Sequence, residues 1–211
     1  MGEYFMWANP EKKEYLDEDP FERAGFLLGI ATLEGFGYTD AACTMIAGPW
    51  HGTPVVFVGD YWNSAKGDGA VAKLFGGYAY DKILNEYENA SGRFVEARGL
   101  TYEVYGDNPD APSAEYRGPF DLAVHRYRYL VNRTRREYVD RQSAPMRNVR
   151  CDDGTLTQIR EDPVAWLFAP CNVEDEWRGR WCCDLVDPLD EFEPDGSEDA
   201  TQTACRACGW S

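Results

Sequence analysis

The sequence predicts an α+β fold, with a mixed or antiparallel sheet, two or three helices, and a Cys-rich extension at the C-terminal end. Three observations carry that reading. Val55-Val56-Phe57-Val58 is a β-branched and aromatic run of the kind that fills a central strand. Two stretches, 21–33 and 119–141, repeat apolar side chains at three- and four-residue intervals, the period of a buried helix face. Six of the seven cysteines fall within residues 151–211, which sets the end of the chain apart from the rest.

The elements follow in order. Tyr4-Phe5-Met6-Trp7 reads as an edge strand broken by Asn9-Pro10, with Lys12 to Leu16 as the return strand of a hairpin. Asp19 and Pro20 open a helix that runs to about Glu34 and is closed by Gly35. Thr39-Asp40 caps a second, short helix through Cys43 to Ala47. The strand at 55–58 ends at Gly59-Asp60-Tyr61. Residues 63–69 form a polar loop, and Tyr80 to Tyr87 form a helix with Ile83, Leu84 and Tyr87 on one face. Arg93 to Ala97 and Thr101 to Tyr105 read as strands, followed by a Gly- and Pro-rich loop over 106–112.

The long periodic segment from Pro119 to about Arg141 reads as one helix. Phe120, Val124, Tyr127, Leu130, Val131 and Tyr138 make its stripe, and Arg126, Arg128, Arg133, Arg135, Arg136 and Arg141 decorate the remainder. Strands alternate through 147–168 around a turn at Asp152-Asp153-Gly154. Arg180 to Val186 reads as a further strand, and the acidic, Pro-containing segment 187–203 as an exposed loop. This divides the chain into a core domain, 1–146, and an acidic, Cys-rich β extension, 147–211.

Charge constrains function more than any motif does. The chain has 37 acidic and 21 basic side chains and a net charge of −16. Residues 151–211 hold 15 acids against 4 bases, whereas 101–150 hold 7 acids against 9 bases. Free nucleic acid is repelled by such a surface, and a basic protein surface is attracted. No run of about 18 apolar residues marks a membrane helix, and the N-terminus lacks a signal-peptide pattern, so the expected location is the cytoplasm.

Reduced cysteines in that compartment suggest metal rather than disulfides. Cys205 and Cys208, spaced as Cys-x-x-Cys before Gly209, read as one knuckle of a structural zinc site. Adjacent residues on a strand face opposite sides, so only one of Cys182 and Cys183 is expected to reach the metal. The preferred ligand set is Cys171, Cys182, Cys205 and Cys208, with Cys151 or Cys183 as alternates. Free thiols are the competing reading.

No catalytic signature appears. A Cys43–His51 thiol–imidazole pair has no companion group, and His125 reads as a partly exposed helix residue. Asp60 reads as a strand-end residue accepting backbone N–H bonds. The Gly-rich stretches lack the Gly-Lys-Ser or Gly-Lys-Thr ending of a phosphate loop. The chain therefore leans away from an enzyme.

Two opposite readings remain for the charged segments. In one, Glu174, Asp175, Glu176, Asp184, Asp187, Asp190, Glu191 and Glu193, interleaved with Trp177, Trp181 and Phe192, imitate a phosphate backbone with stacked bases. They would then occupy the groove of a basic host protein or ribonucleoprotein complex. In the other, Arg133, Arg135, Arg136 and Arg141 pair with the acidic segment 184–199 inside the molecule, each exposed pair contributing about 1 kcal/mol or less. A nucleic-acid-binding arginine face, on a zinc-stapled regulatory module, is a further alternative.

Asn9 with Lys12-Lys13-Glu14-Tyr15, the segment Phe21 to Leu33, and Gly48-Pro49-Trp50-His51-Gly52-Thr53-Pro54 running into Val55 to Tyr61 together resemble a group of uncharacterised proteins found in phages and mobile elements. Similar proteins carry a lysine-glutamate-tyrosine hairpin, a helix, and a Trp-x-Gly turn entering a Val-rich strand that ends Gly-Asp-Tyr. The resemblance spans residues 1–61. It implies a mobile-element context, where small acidic accessory proteins often oppose host defence, with inhibitors of the anti-CRISPR type as the specific case.

Overall fold

The computed structural model describes residues 4–17, 37–60, 75, 79–94, 125–150, 155–169 and 177–208. Over these residues the fold is α+β, with four α-helices and three sheets.

The first sheet is built on β1 (Phe5–Asn9). Its alternation sends Phe5 and Trp7 to one face and Met6 and Ala8 to the other. Both faces are covered, so β1 is buried along its whole length. It pairs antiparallel with β2 (Glu14–Leu16) through Trp7 opposite Leu16, which is the expected hairpin. Asn9 closes the turn by accepting the N–H groups of Glu11 (3.1 Å) and Lys12 (2.9 Å) on its side-chain oxygen. The other flank of β1 takes β3 (Val56–Gly59), with Trp7 opposite Phe57. The strand order is β3-β1-β2-β4, where β4 is Glu88–Asn89 and runs parallel to β2. The expected positions are thus exchanged. The 4–7 strand lies inside the sheet and the 55–58 strand at the end of its described order, because burial on both faces gives both strands the same continuous apolar signal.

Helix α1 (Gly37–Ala47) buries every side chain from Tyr38 to Ile46. The Tyr38 hydroxyl accepts the Trp7 N–H at 3.1 Å and donates to the Leu16 carbonyl at 2.6 Å, tying α1 to the hairpin. Thr39 and Asp40 stand inside its first turn instead of capping it. Helix α2 (Ala79–Glu86) covers the opposite face through Ala79 and Ile83, while Leu84 points outward, contrary to its expected place on the apolar face. Ser91–Phe94 is a 3-10 turn, so Arg93 and Phe94 do not begin a strand.

The largest departure lies at 125–141. This segment is a β-hairpin and not a helix: β5 (Tyr129–Asn132) turns at Arg133 to Arg136 into β6 (Glu137–Asp140). Asn132 accepts the Arg135 N–H at 2.9 Å, and Arg136 takes a left-handed φ of 57°. Helical spacing of the apolar residues was coincidental. Partners distant in sequence decide the outcome, since β9 (Val186–Leu189) pairs with β5 and β10 (Glu198–Asp199) pairs with β6 in the order β10-β6-β5-β9. The segment expected as an acidic loop therefore supplies two strands and then helix α4 (Thr201–Ala207).

β7 (Met146–Arg150) and β8 (Leu156–Arg160) form the predicted hairpin, apart from the other sheets. Helix α3 (Val164–Phe168) follows where a strand was expected. Trp181 is wholly buried and packs edge-on to Phe168 at 6.3 Å, within the main core that also holds Trp7, Trp50 and Ala204. Predicted elements at 19–34, 101–105 and 106–112 lie outside the described residues.

Candidate functional site

The acidic segment crosses the second sheet from one edge to the other. Since β9 and β10 border opposite sides of the β5–β6 hairpin, residues 190–197 form a strap over it. Phe192 pins the strap, with its ring 5.9 Å from Tyr129 and 5.2 Å from Tyr138. The Arg133 guanidinium lies 5.9 Å from the same ring.

The turn arginines pair with this segment. Arg135 Nε meets Asp184 Oδ2 at 2.5 Å, and Asn132 donates to the same oxygen at 2.9 Å. Arg133 Nε lies 2.9 Å from Asp187 Oδ2, and its terminal nitrogen 3.8 Å from Asp195. Arg136 donates to the Asp195 carbonyl at 3.2 Å. The Ser197 hydroxyl, with these two arginines adding, holds the Asp195 carboxyl below its ordinary range. Asp190 contacts His125 Nε2 at 2.8 Å on an exposed surface, and His51 lies 3.6 Å from Asp187. Internal pairing of the arginine cluster with the 184–199 segment is what the structure shows for Arg133, Arg135 and Arg136.

Arg141 goes elsewhere. It is buried and bridges Asp40 (2.6 Å) and Asp162, joining α1, the end of β6 and the entry to α3. Burial raises the Asp40 carboxyl despite Arg141. Glu137 is also buried, and it accepts from Arg180 (2.5 Å) and from the Trp181 indole (2.8 Å). Burial pushes Glu137 upward, but these bonds outweigh it and leave the group below its ordinary value.

The expected aromatic anchors are used internally. Trp181 is in the core, Trp177 packs against the core with Arg180 4.6 Å above its ring, and Phe192 holds the strap. Glu174, Asp175 and Glu176 lie outside the described residues. On the strap and β10, Glu191, Glu193 and Glu198 are exposed, and their carboxylates have no ion-pair or hydrogen-bond partner among the described residues. Glu191 and Glu193 flank the inward-facing Phe192.

Four of the C-terminal cysteines lie in turns and at the end of a helix. Cys205 stands in the last turn of α4 and Cys208 caps that helix, its thiol donating to the Ala204 carbonyl at 3.2 Å. Burial, with Cys208 and Glu161 adding, raises the Cys205 thiol well above its ordinary range. Cys182 and Cys183 sit in a coil of turns and not on a strand, and their sulfurs are 3.8 Å apart. No group of three or more His, Cys, Asp or Glu side chains with metal-binding geometry occurs among the described residues, and Cys171 and Cys151 lie outside them. Cys43 is fully buried with its thiol pushed up to about 12, and His51 is exposed beside Asp187, so the two do not form a thiol–imidazole pair. Asp60 accepts the Tyr4 N–H at 3.1 Å, the strand-end role expected of it.

No protein-family model matches this chain, and neither a curated protein nor a solved structure matches it. No helix among the described residues is long and apolar enough to cross a membrane.

Proposed function

We propose that this protein is a non-enzymatic, acidic binding protein that docks a basic protein surface through the outer carboxylates of its 190–197 strap and of β10. The supporting observation is the division of labour among the acids. Asp184, Asp187 and Asp195 neutralise the turn arginines, while Glu191, Glu193 and Glu198 stay exposed without a counter-charge among the described residues.

Pairing of this kind cannot remove the net charge. The acids outnumber the bases, 37 to 21. Glu191, Glu193 and Glu198 carry part of that surplus into solvent. Long-range attraction to a cationic partner raises association rate and weakens with salt. The partner class is a basic surface that holds DNA or RNA, in the cytoplasm of a host cell. A nucleic-acid-guided defence complex is its most specific member, and that step rests on the mobile-element resemblance alone.

The test is capture from a host lysate by the full-length protein and by E191K/E193K/E198K, at low and at raised salt. A basic partner retained by the wild type, and lost with the variant and with salt, supports the reading. The same partners on both proteins, or nucleic acid retained directly, overturns it.

A further inference from the structure

The adjacent pair Cys182-Cys183 has a geometry that strand alternation does not give. Cys182 N–H donates to the Gly179 carbonyl at 3.0 Å, and Cys183 N–H donates to the Val55 carbonyl at 3.1 Å. Cys183 adopts φ +66°, a left-handed conformation that is unfavourable for a non-glycine residue. The surrounding bonds hold it there. The two side chains are brought to one side, with their sulfurs 3.8 Å apart. Both are half-buried, packed on the apolar cluster of Met6, Val56, Val58 and Ile83.

We infer that Cys182 and Cys183 together form a two-sulfur chelate for a divalent thiophilic metal ion of the zinc–cadmium class. Two thiolates each about 2.3 Å from a tetrahedral ion stand about 3.8 Å apart, so the sulfurs already span one edge of such a site. Two metal–sulfur bonds form, two S–H bonds break, and both protons pass to solvent. No electron is transferred. A divalent ion with two thiolates is neutral overall, which suits a site resting on apolar side chains. Half-exposure leaves water to complete the coordination. A disulfide fits less well, because neighbouring Cα atoms lie about 3.8 Å apart, below the range of about 4.4–6.8 Å that disulfides span. The Asp184 carboxylate is not a ligand, being held by Arg135 and Asn132.

The experiment uses the full-length, reduced protein after chelator treatment, with cadmium ion as probe. Titration is followed by the sulfur-to-metal charge-transfer band. Alkylation with and without cadmium is read peptide by peptide on the wild-type chain. The expected result is joint protection of Cys182 and Cys183, with affinity falling at least tenfold in C182S and in C183S and unchanged in C205S/C208S. Protection of Cys182 together with Cys171, Cys205 and Cys208 but not Cys183, or no protection at 182 and 183, would overturn the site. The alkylation arm needs no variant, so a substitution that perturbs folding does not blunt the test.

Discussion

Asp187 Oδ2 lies 2.9 Å from Arg133 Nε, so a carboxylate of the acidic C-terminal third is bound to the turn of the β5–β6 hairpin. Both groups are partly exposed, and solvent screens them. Asp187→Asn should therefore cost about 1 kcal/mol or less. Asp184 is more enclosed and accepts from two donors, so Asp184→Ala should cost about 2 kcal/mol. Urea unfolding of the two variants compares them directly, and equal losses would contradict the distinction.

Arg141 carries the heaviest structural load of any charged side chain described. Arg141→Met leaves Asp40 and Asp162 buried without their cation, and about 3–5 kcal/mol should be lost. Replacing all three together, as D40L/R141M/D162L, should recover much of that loss, because the desolvation cost of the charges goes with them. A triple variant no more stable than the single one would count against the argument.

Acid stability carries two opposed signatures. Glu137 is held below its ordinary value of 4.5, so its contribution is full above that pH and is lost as pH falls through the lower, folded value. Glu137→Gln should be less stable at neutral pH and lose less on acidification below about 4.5 than the wild type. Asp40 has the opposite sign. Its folded value is raised above 3.8, so proton uptake favours the native state as pH falls through that window. Asp40→Asn removes the counter-slope and should steepen acid unfolding. Denaturant midpoints across pH 3 to 7 give both slopes.

Cys43 should resist alkylation in the native protein. Its side chain is fully buried and burial pushes its thiol up to about 12, so almost no thiolate is present near neutrality. Labelling of Cys43 should appear only at the rate of unfolding, measured by mass spectrometry against denaturant. Fast labelling in native buffer would contradict its placement.

Local signals were legible where the local sequence decides. Asn9-Pro10 between two apolar runs marks the first hairpin, and Asp152-Asp153-Gly154 marks the β7–β8 hairpin. The 125–141 segment was misread because its spacing satisfies a helix, while its strand partners lie about 50 to 60 residues downstream. Asp40 looked like a helix cap because its real partner, Arg141, is 101 residues away. The pairing of the turn arginines with the acidic segment was visible as one of two charge readings, since opposite charges in bulk say that pairs form but not which. The sulfur pair was not legible, because a left-handed backbone at Cys183 leaves no mark in residue type.

The proposed division of the acids is into an inner set that holds the hairpin turn and an outer set that meets a partner. Association rate constants with the captured basic partner, measured against ionic strength, test it most directly. E191Q/E193Q should associate more slowly and show a shallower salt dependence, while D187N should match the wild type on both counts. Equal effects from the two variants, or none from E191Q/E193Q, would contradict it.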